Sequence, residues 1–173
     1  MRATGRGAVL AGVAAAVVIA DQATKSWAQQ ALIPEVPRHV LGPTNLVLTY
    51  NSGAAFSLGA GASPVIEALA VTLAAVVLWL SGRLARGGGH VAGLVGFGLV
   101  GGGALSNLGD RFIRHHHGAV VDFVQLVSWW PIFNLADAAI TIGAVTIAAV
   151  LLFGPDVQQG GVNPAAAGTD KAR

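Results

Sequence analysis

The sequence has no cysteine, a single methionine, a single tyrosine and few charges. Without cysteine there is no disulfide, no thiolate nucleophile and no cysteine-ligated zinc. Charged residues make up 10% of the 173 residues, against about 25% in an ordinary soluble domain. The pI of 9.7 rests on a net charge of only +2. No basic patch is interleaved with aromatics, so nothing points to nucleic acid. The length suits one compact bundle and leaves no room for a second domain.

What is abundant is apolar sequence, 54% of the chain. Four long apolar segments predict a membrane protein. The first follows Arg2 and Arg6 and resembles a signal peptide in its basic start and small residues. It continues through an amphipathic turn, however, and is expected to be a retained helix over about 7–28. A second helix is expected over about 64–80, with Ser63 as N-cap, Pro64 in the first helical position and Glu67 in the first turn. A third is expected over about 90–108, with Gly98 and Gly102 in a GxxxG spacing that suits close packing. The fourth, about 134–153, makes roughly 25 Å of helix from Asp137 onward at about 1.5 Å per residue. That length nearly spans a hydrocarbon core of about 30 Å and leaves Asp137 at its rim. The tail 154–173 is rich in Gly, Pro, Ala and Asn and is expected to be disordered and cytoplasmic.

Between the first two helices, Val40 to Tyr50 favours β-structure around turn residues, and a small outer hairpin or flap is expected over about 40–56. The expected fold class is therefore an all-α membrane protein of four transmembrane helices with a small extracytoplasmic β-hairpin or cradle. Arg2, Arg6, Arg83 and Arg86 put both termini and the turn between helices two and three on the cytoplasmic side. Trp129 and Trp130 stand where an interfacial aromatic belt is expected.

Four of the eight acidic residues, Asp21, Asp110, Asp122 and Asp137, edge these apolar segments. Ionisable groups at a membrane rim are costly, and each is a functional hypothesis. Two carboxylates held close share a proton, so one can activate water while the other donates to a carbonyl oxygen. Asp122 and Asp137 are candidates for that work. Equally, Asn134 to Asp137 has the spacing of a capping box, and Asp122 can be a solvated loop residue. Spacing alone does not say which two of the four aspartates pair. Asp21 and Lys25 stand at i and i+4, in the favourable order for an ion pair. Arg111 can clamp a carbonyl or phosphate, or snorkel to the interface. The rings of His115, His116 and His117 point in different directions, no acidic residue at a fixed spacing completes a site, and no metal or cofactor is expected. Ser57, Ser106 and Ser128 lack a histidine or lysine base. A proton-coupled transporter or channel subunit is the alternative class. It predicts carboxylates near mid-bilayer and an internal repeat, whereas here the carboxylates gather at one face and no repeat is found.

Five blocks in order make the chain resemble the lipoprotein signal peptidase (signal peptidase II) family. They are Asp21-x-x-x-Lys25; Asn51-x-Gly53-Ala-Ala-Phe56; Gly102-Gly103-x-x-x-Asn107-x-x-Asp110-Arg111; Val121-Asp122-Phe123; and Phe133-Asn134-x-Ala136-Asp137. The resemblance implies a bacterial plasma-membrane aspartic endopeptidase, inhibited by globomycin, with its site on the extracytoplasmic side. It implies Asp122 and Asp137 as the catalytic pair. Asn51, Gly53, Asn107, Arg111 and Asn134 would contact substrate or shape the pocket, supported by Asp21, Lys25 and Asp110. The implied substrate is a prolipoprotein whose cysteine carries diacylglyceryl, cut just before that cysteine. Membrane lipid is the other expected partner, and the chain is expected to act as a monomer. The link Arg111 to Gly118 looks a few residues longer than the usual one, which leaves the placement of Arg114 and the histidines open.

Overall fold

In the computed structural model the described residues are 3–52, 79, 90–114 and 118–153. They form α1 (Ala3–Ala31), β1 (Arg38–Leu41), β2 (Thr44–Asn51), α2 (Val91–Ile113), β3 (Val120–Gln125) and α3 (Leu135–Phe153). Among them three helices are long and apolar enough to cross a membrane. The expected helix 64–80 falls outside the described residues except for Trp79, which is helical. Gly53, His115 to His117 and the tail 154–173 also lie outside them.

α2 is the central helix, and glycine makes it so. A Cβ on Gly98 would sit 2.8 Å from Val13 Cβ, and one on Gly102 would sit 2.7 Å from the Ala14 carbonyl oxygen. On roughly the opposite face, a Cβ on Gly103 would meet the Ala136 carbonyl oxygen at 2.5 Å, and one on Gly96 would meet Ile147 at 2.9 Å. α1 and α2 therefore run parallel in close contact, and α3 runs back against the other side. Backbone oxygens cannot move aside as a flexible side chain can. Gly103→Val should lower stability by about 1–3 kcal/mol, the usual range for overpacking. Thermal unfolding in detergent checks this; an unchanged melting temperature would mean that α3 does not pack as closely as described.

The expected outer hairpin is present but incomplete as a description. β1 and β2 pair antiparallel across Gly42-Pro43, and Gly42 takes φ +55°, which suits glycine. A third strand, β3, pairs antiparallel with β2, giving a sheet of order β1-β2-β3. The expectation of an all-α protein with a two-stranded flap is corrected accordingly. Its partner on the other side of the chain was hidden because the pairing spans some seventy positions, and a short buried run such as Val120 to Val124 has no periodicity to reveal that partner. The register shifts between Leu46 and Thr49, where Val47 and Leu48 face the single residue Phe123. This bulge lets two consecutive side chains, Val47 and Leu48, both be buried.

The sheet stands on the end of α1. Ala28 of α1 and Leu32 just after the helix form an apolar core with Leu48, Val121 and Phe123, and the Trp27 ring meets Phe123 edge-on at 6.4 Å. An isolated hairpin is marginal in water; here the helix supplies its apolar support. After β3 the chain folds back, and Phe133 pairs with Val124 through backbone bonds of 2.9 and 3.0 Å. That return delivers Asn134 beside β3 and starts α3 there. α1 extends three residues past its expected end at Ala28, and α2 runs five past Leu108. Asp110 and Arg111 accordingly stand on the helix, not after it.

Candidate active site

Four elements meet where the sheet caps the helices, and each brings polar residues into a region otherwise apolar. Asp122 is on β3 and is 1% exposed. Its Oδ2 accepts Nδ2 of Asn51 at 2.9 Å, a diagonal neighbour on β2, and its Oδ1 accepts Nδ2 of Asn134 at 2.6 Å. Asp137 lies in the first turn of α3. Its Oδ1 accepts Nδ2 of Asn107 at 2.9 Å, and its Oδ2 accepts the Asn134 N–H at 3.3 Å.

Asn134 links the two carboxylates. Its Oδ1 accepts the Asp137 N–H at 2.9 Å, while its backbone N–H returns to Asp137 Oδ2. This is the reciprocal pattern of a capping box. The side-chain amide of the same residue reaches Asp122. The two readings left open by the spacing, a cap and a carboxylate pair, thus describe one arrangement: the cap aims Asp137, and the residue that caps also holds Asp122. The solvated-loop reading of Asp122 is excluded, since Asp122 is buried on a strand.

Burial, and after it the negative charge of Asp137, pushes the Asp122 carboxyl up from 3.8 to about 7; the amides of Asn51 and Asn134 and the charge of Lys25 pull the other way. The direction follows from desolvation, which penalises the ionised form, and from a like charge nearby. It leaves one buried carboxyl able to hold a proton near neutral pH.

Beneath this pair lies a buried charged network. Lys25 Nζ is 2.7 Å from Asp21 Oδ2 and 2.8 Å from Asp110 Oδ2, all three fully buried. Lys25 also donates to Asn107 Oδ1 at 2.8 Å. Arg114 Nε lies 3.0 Å from Asp110 Oδ1. The two acids and two bases balance, as buried charges must. The predicted Asp21–Lys25 pair is present, but it belongs to this larger set.

Several members of the set escaped the sequence reading. Arg114 donates to the side chains of Gln22, Ser26 and Gln29 on α1. Gln22 donates to Asp110 Oδ1 at 2.8 Å. Ser106, considered only as a nucleophile, donates to Asp21 Oδ2 at 2.7 Å. A signal existed: Gln22, Ser26 and Gln29 fall at i, i+4 and i+7, one polar stripe beside the Asp21–Lys25 pair on the last turns of α1. Arg114 and that stripe form each other's partners. Arg111, the predicted clamp, is half-buried one residue beyond Asp110.

The described residues share their fold with solved bacterial membrane enzymes. One structure determined by the in meso method superposes with a TM-score of 0.71 at 24% identity, covering 93% of this chain and 92% of its own. A second, at 28% identity, superposes with a TM-score of 0.66 over 82% of this chain and 90% of that one. The fold is thus one found in membrane enzymes. The family described as Signal peptidase (SPase) II matches residues 13–153. Lipoprotein signal peptidases from Mycolicibacterium smegmatis and Mycobacterium avium are 40% and 38% identical over 152 residues, 86% of this chain. The chain spans 63% of the length of the first and 81% of the second. A third, from Paraburkholderia phytofirmans, is 42% identical over 79% of this chain and 80% of its own. The chain belongs to the signal peptidase II family.

Proposed function

We propose that the protein is an aspartic endopeptidase of the bacterial plasma membrane that releases the signal peptide from diacylglyceryl-modified prolipoproteins. The observation that carries this reading is Asn134, which ties Asp122 to Asp137 at the end of an apolar bundle. The proposed catalytic residues are Asp122 and Asp137. Asn51, Asn107 and Asn134 hold them, and Gly53 and Arg111 are proposed to meet the substrate. Both termini are assigned to the cytoplasmic side and the site to the extracytoplasmic one, on the arginine distribution.

The chemistry needs no covalent enzyme intermediate. One aspartate, ionised, takes a proton from water as its oxygen attacks the scissile carbonyl. The other, protonated, gives its proton to the carbonyl oxygen. Collapse of the tetrahedral species breaks the C–N bond. The proton held by the first aspartate passes to the departing amine of the lipidated cysteine, and the hydroxyl proton returns to the second. A substrate signal peptide is an apolar helix with its lipidated end at the membrane interface, the depth at which these carboxylates lie. The sheet stands over that depth and can cover the scissile segment.

The test is cleavage of a diacylglyceryl-modified prolipoprotein by the purified protein in detergent, with and without globomycin, over a range of pH. Only the singly protonated pair is active. At low pH both aspartates are protonated and no base remains; at high pH both are ionised and no acid remains. The expected profile is a bell whose descending limb falls at or above pH ~7, where burial places Asp122. A rate flat across several pH units would sink the shared-proton mechanism, and cleavage insensitive to globomycin would count against the family's mode of binding.

A further inference from the structure

Two carboxylates outside the proposed chemistry hold the backbone beside the pair that performs it. Asp21 Oδ1 accepts the N–H of Ala136, the residue before Asp137, at 2.8 Å. Asp110 Oδ2 accepts the N–H of Val121, the residue before Asp122, at 3.1 Å. Each proposed catalytic aspartate is thus anchored one residue upstream by another aspartate, and both anchors meet on the Lys25 ammonium at 2.7 and 2.8 Å. The anchors come from α1 and α2; the anchored segments are α3 and β3. A helix and a strand in different layers have no shared ladder to fix their separation. The chain Ala136–Asp21–Lys25–Asp110–Val121 supplies one, entirely buried and made of charge-assisted bonds, which are short and strong.

Lys25 acts on the pair by a second path. An ammonium has donors only, so the side chain of Asn107 must turn its oxygen to Lys25. That leaves Nδ2 of Asn107 facing Asp137 Oδ1 at 2.9 Å. The orientation of an amide that touches the candidate site is therefore set by a charge that does not.

We propose that Lys25 is a positioning residue that fixes the separation of Asp122 and Asp137, by tying together the two carboxylates that hold the peptide N–H preceding each. This rests on the reading of Asp122 and Asp137 as the catalytic pair. The charged groups around the pair are Asp21 and Lys25 of α1, Asp110 and Arg111 of α2, and Arg114 at the C-cap of α2. A neutral residue at position 25 leaves Asp21 and Asp110 facing one another without their shared cation. They separate, and α3 and β3 move with them.

The experiment compares wild type, Lys25→Met and the double variant Lys25→Met/Asp110→Asn as full-length protein in detergent. The double variant keeps an oxygen for the Val121 N–H and keeps the charges balanced, with Asp21 against Arg114, but the tie is cut. Prolipoprotein cleavage is measured for kcat, KM and the pH profile, and folding by thermal melting. Displacing one reacting group by about 1 Å can lower a rate ~100-fold. We expect both variants to lose kcat by roughly that factor with KM held within about two-fold. The two limbs of the bell should also approach each other by about one pH unit, because a wider pair is less strongly coupled. Two results overturn the proposal: a double variant with wild-type kcat and limb spacing, which makes charge balance the whole role of Lys25, or lost kcat with the limbs still at wild-type spacing. Failure of both variants to fold overturns it as well, making Lys25 a requirement of the fold and not of the spacing. A flat profile in wild type would instead remove the catalytic pair itself, so the two readings fail separately.

Discussion

Asp122→Asn and Asp137→Asn should each lower prolipoprotein cleavage by roughly 10^4-fold or more, while the protein stays folded. An amide is neither a base for water nor an acid for the carbonyl oxygen, so either change removes one half of the proton exchange. The surroundings argue that the fold survives. Asp122 is held by two amide side chains: an Asn oxygen in its place can still accept from Asn134, whose cap fixes its orientation, and Asn51 can turn to suit the new amide. Asp137 is held by Asn107 and by a cap whose backbone half an Asn oxygen can still accept. Measured side by side, folded variants that cleave at the wild-type rate would make both carboxylates structural and would place the chemistry elsewhere.

Asn134→Ala should be the most damaging change at a residue without ionisable chemistry. It removes the cap of α3, which costs about 1 kcal/mol, and the 2.6 Å bond to Asp122. Activity should fall by about 10²- to 10³-fold, the size of effect seen when one preorganised donor is lost. The bond to Asn134 lowers the Asp122 value, so its loss moves the bell toward higher pH. Asn134→Ser separates the two roles. Serine is a good N-cap, so the melting temperature should return toward wild type, while the activity should not, because a hydroxyl on the shorter side chain does not reach Asp122. If Ser restores both, Asn134 serves only as a cap.

Much of the site was legible because its parts are local. Asp21 with Lys25 is an i, i+4 pair, and Asn134 with Asp137 is an N-cap with its N3 residue; both spacings carry geometry within one helix. Helix ends were less legible. α2 runs on to Ile113 through Asp110 and Arg111 because tertiary partners on α1, Lys25 and Gln22, neutralise and bind Asp110 there. β3 was illegible for a different reason. Its pairing with β2 is long-range, and Asp122, a poor strand former, sits in its middle. Packing against Ala28 and Leu32 on one side and amide donors on the other outweighs that preference. Arg114 was unreadable until its partners on α1 were in place.

The ion pairs of this site bear on how the chain enters the bilayer. Asp21 with Lys25 within α1, and Asp110 with Arg114 at the C-cap of α2, are each i, i+4 pairs. A lone carboxylate or ammonium at the centre of a transmembrane helix opposes insertion by about 2.5–3.5 kcal/mol, and one nearer the helix end by less. A helix that brings its own counter-ion presents a neutral pair to the lipid instead. α1 and α2 can therefore be released from the insertion machinery one at a time, each with its carboxylate already paired. When they later associate, Lys25 gains a second carboxylate, Asp110, and two self-sufficient pairs become one shared network. Changing Arg114 or Lys25 alone would then show itself first in biogenesis, as a helix delayed at insertion, before any assay of the finished protein.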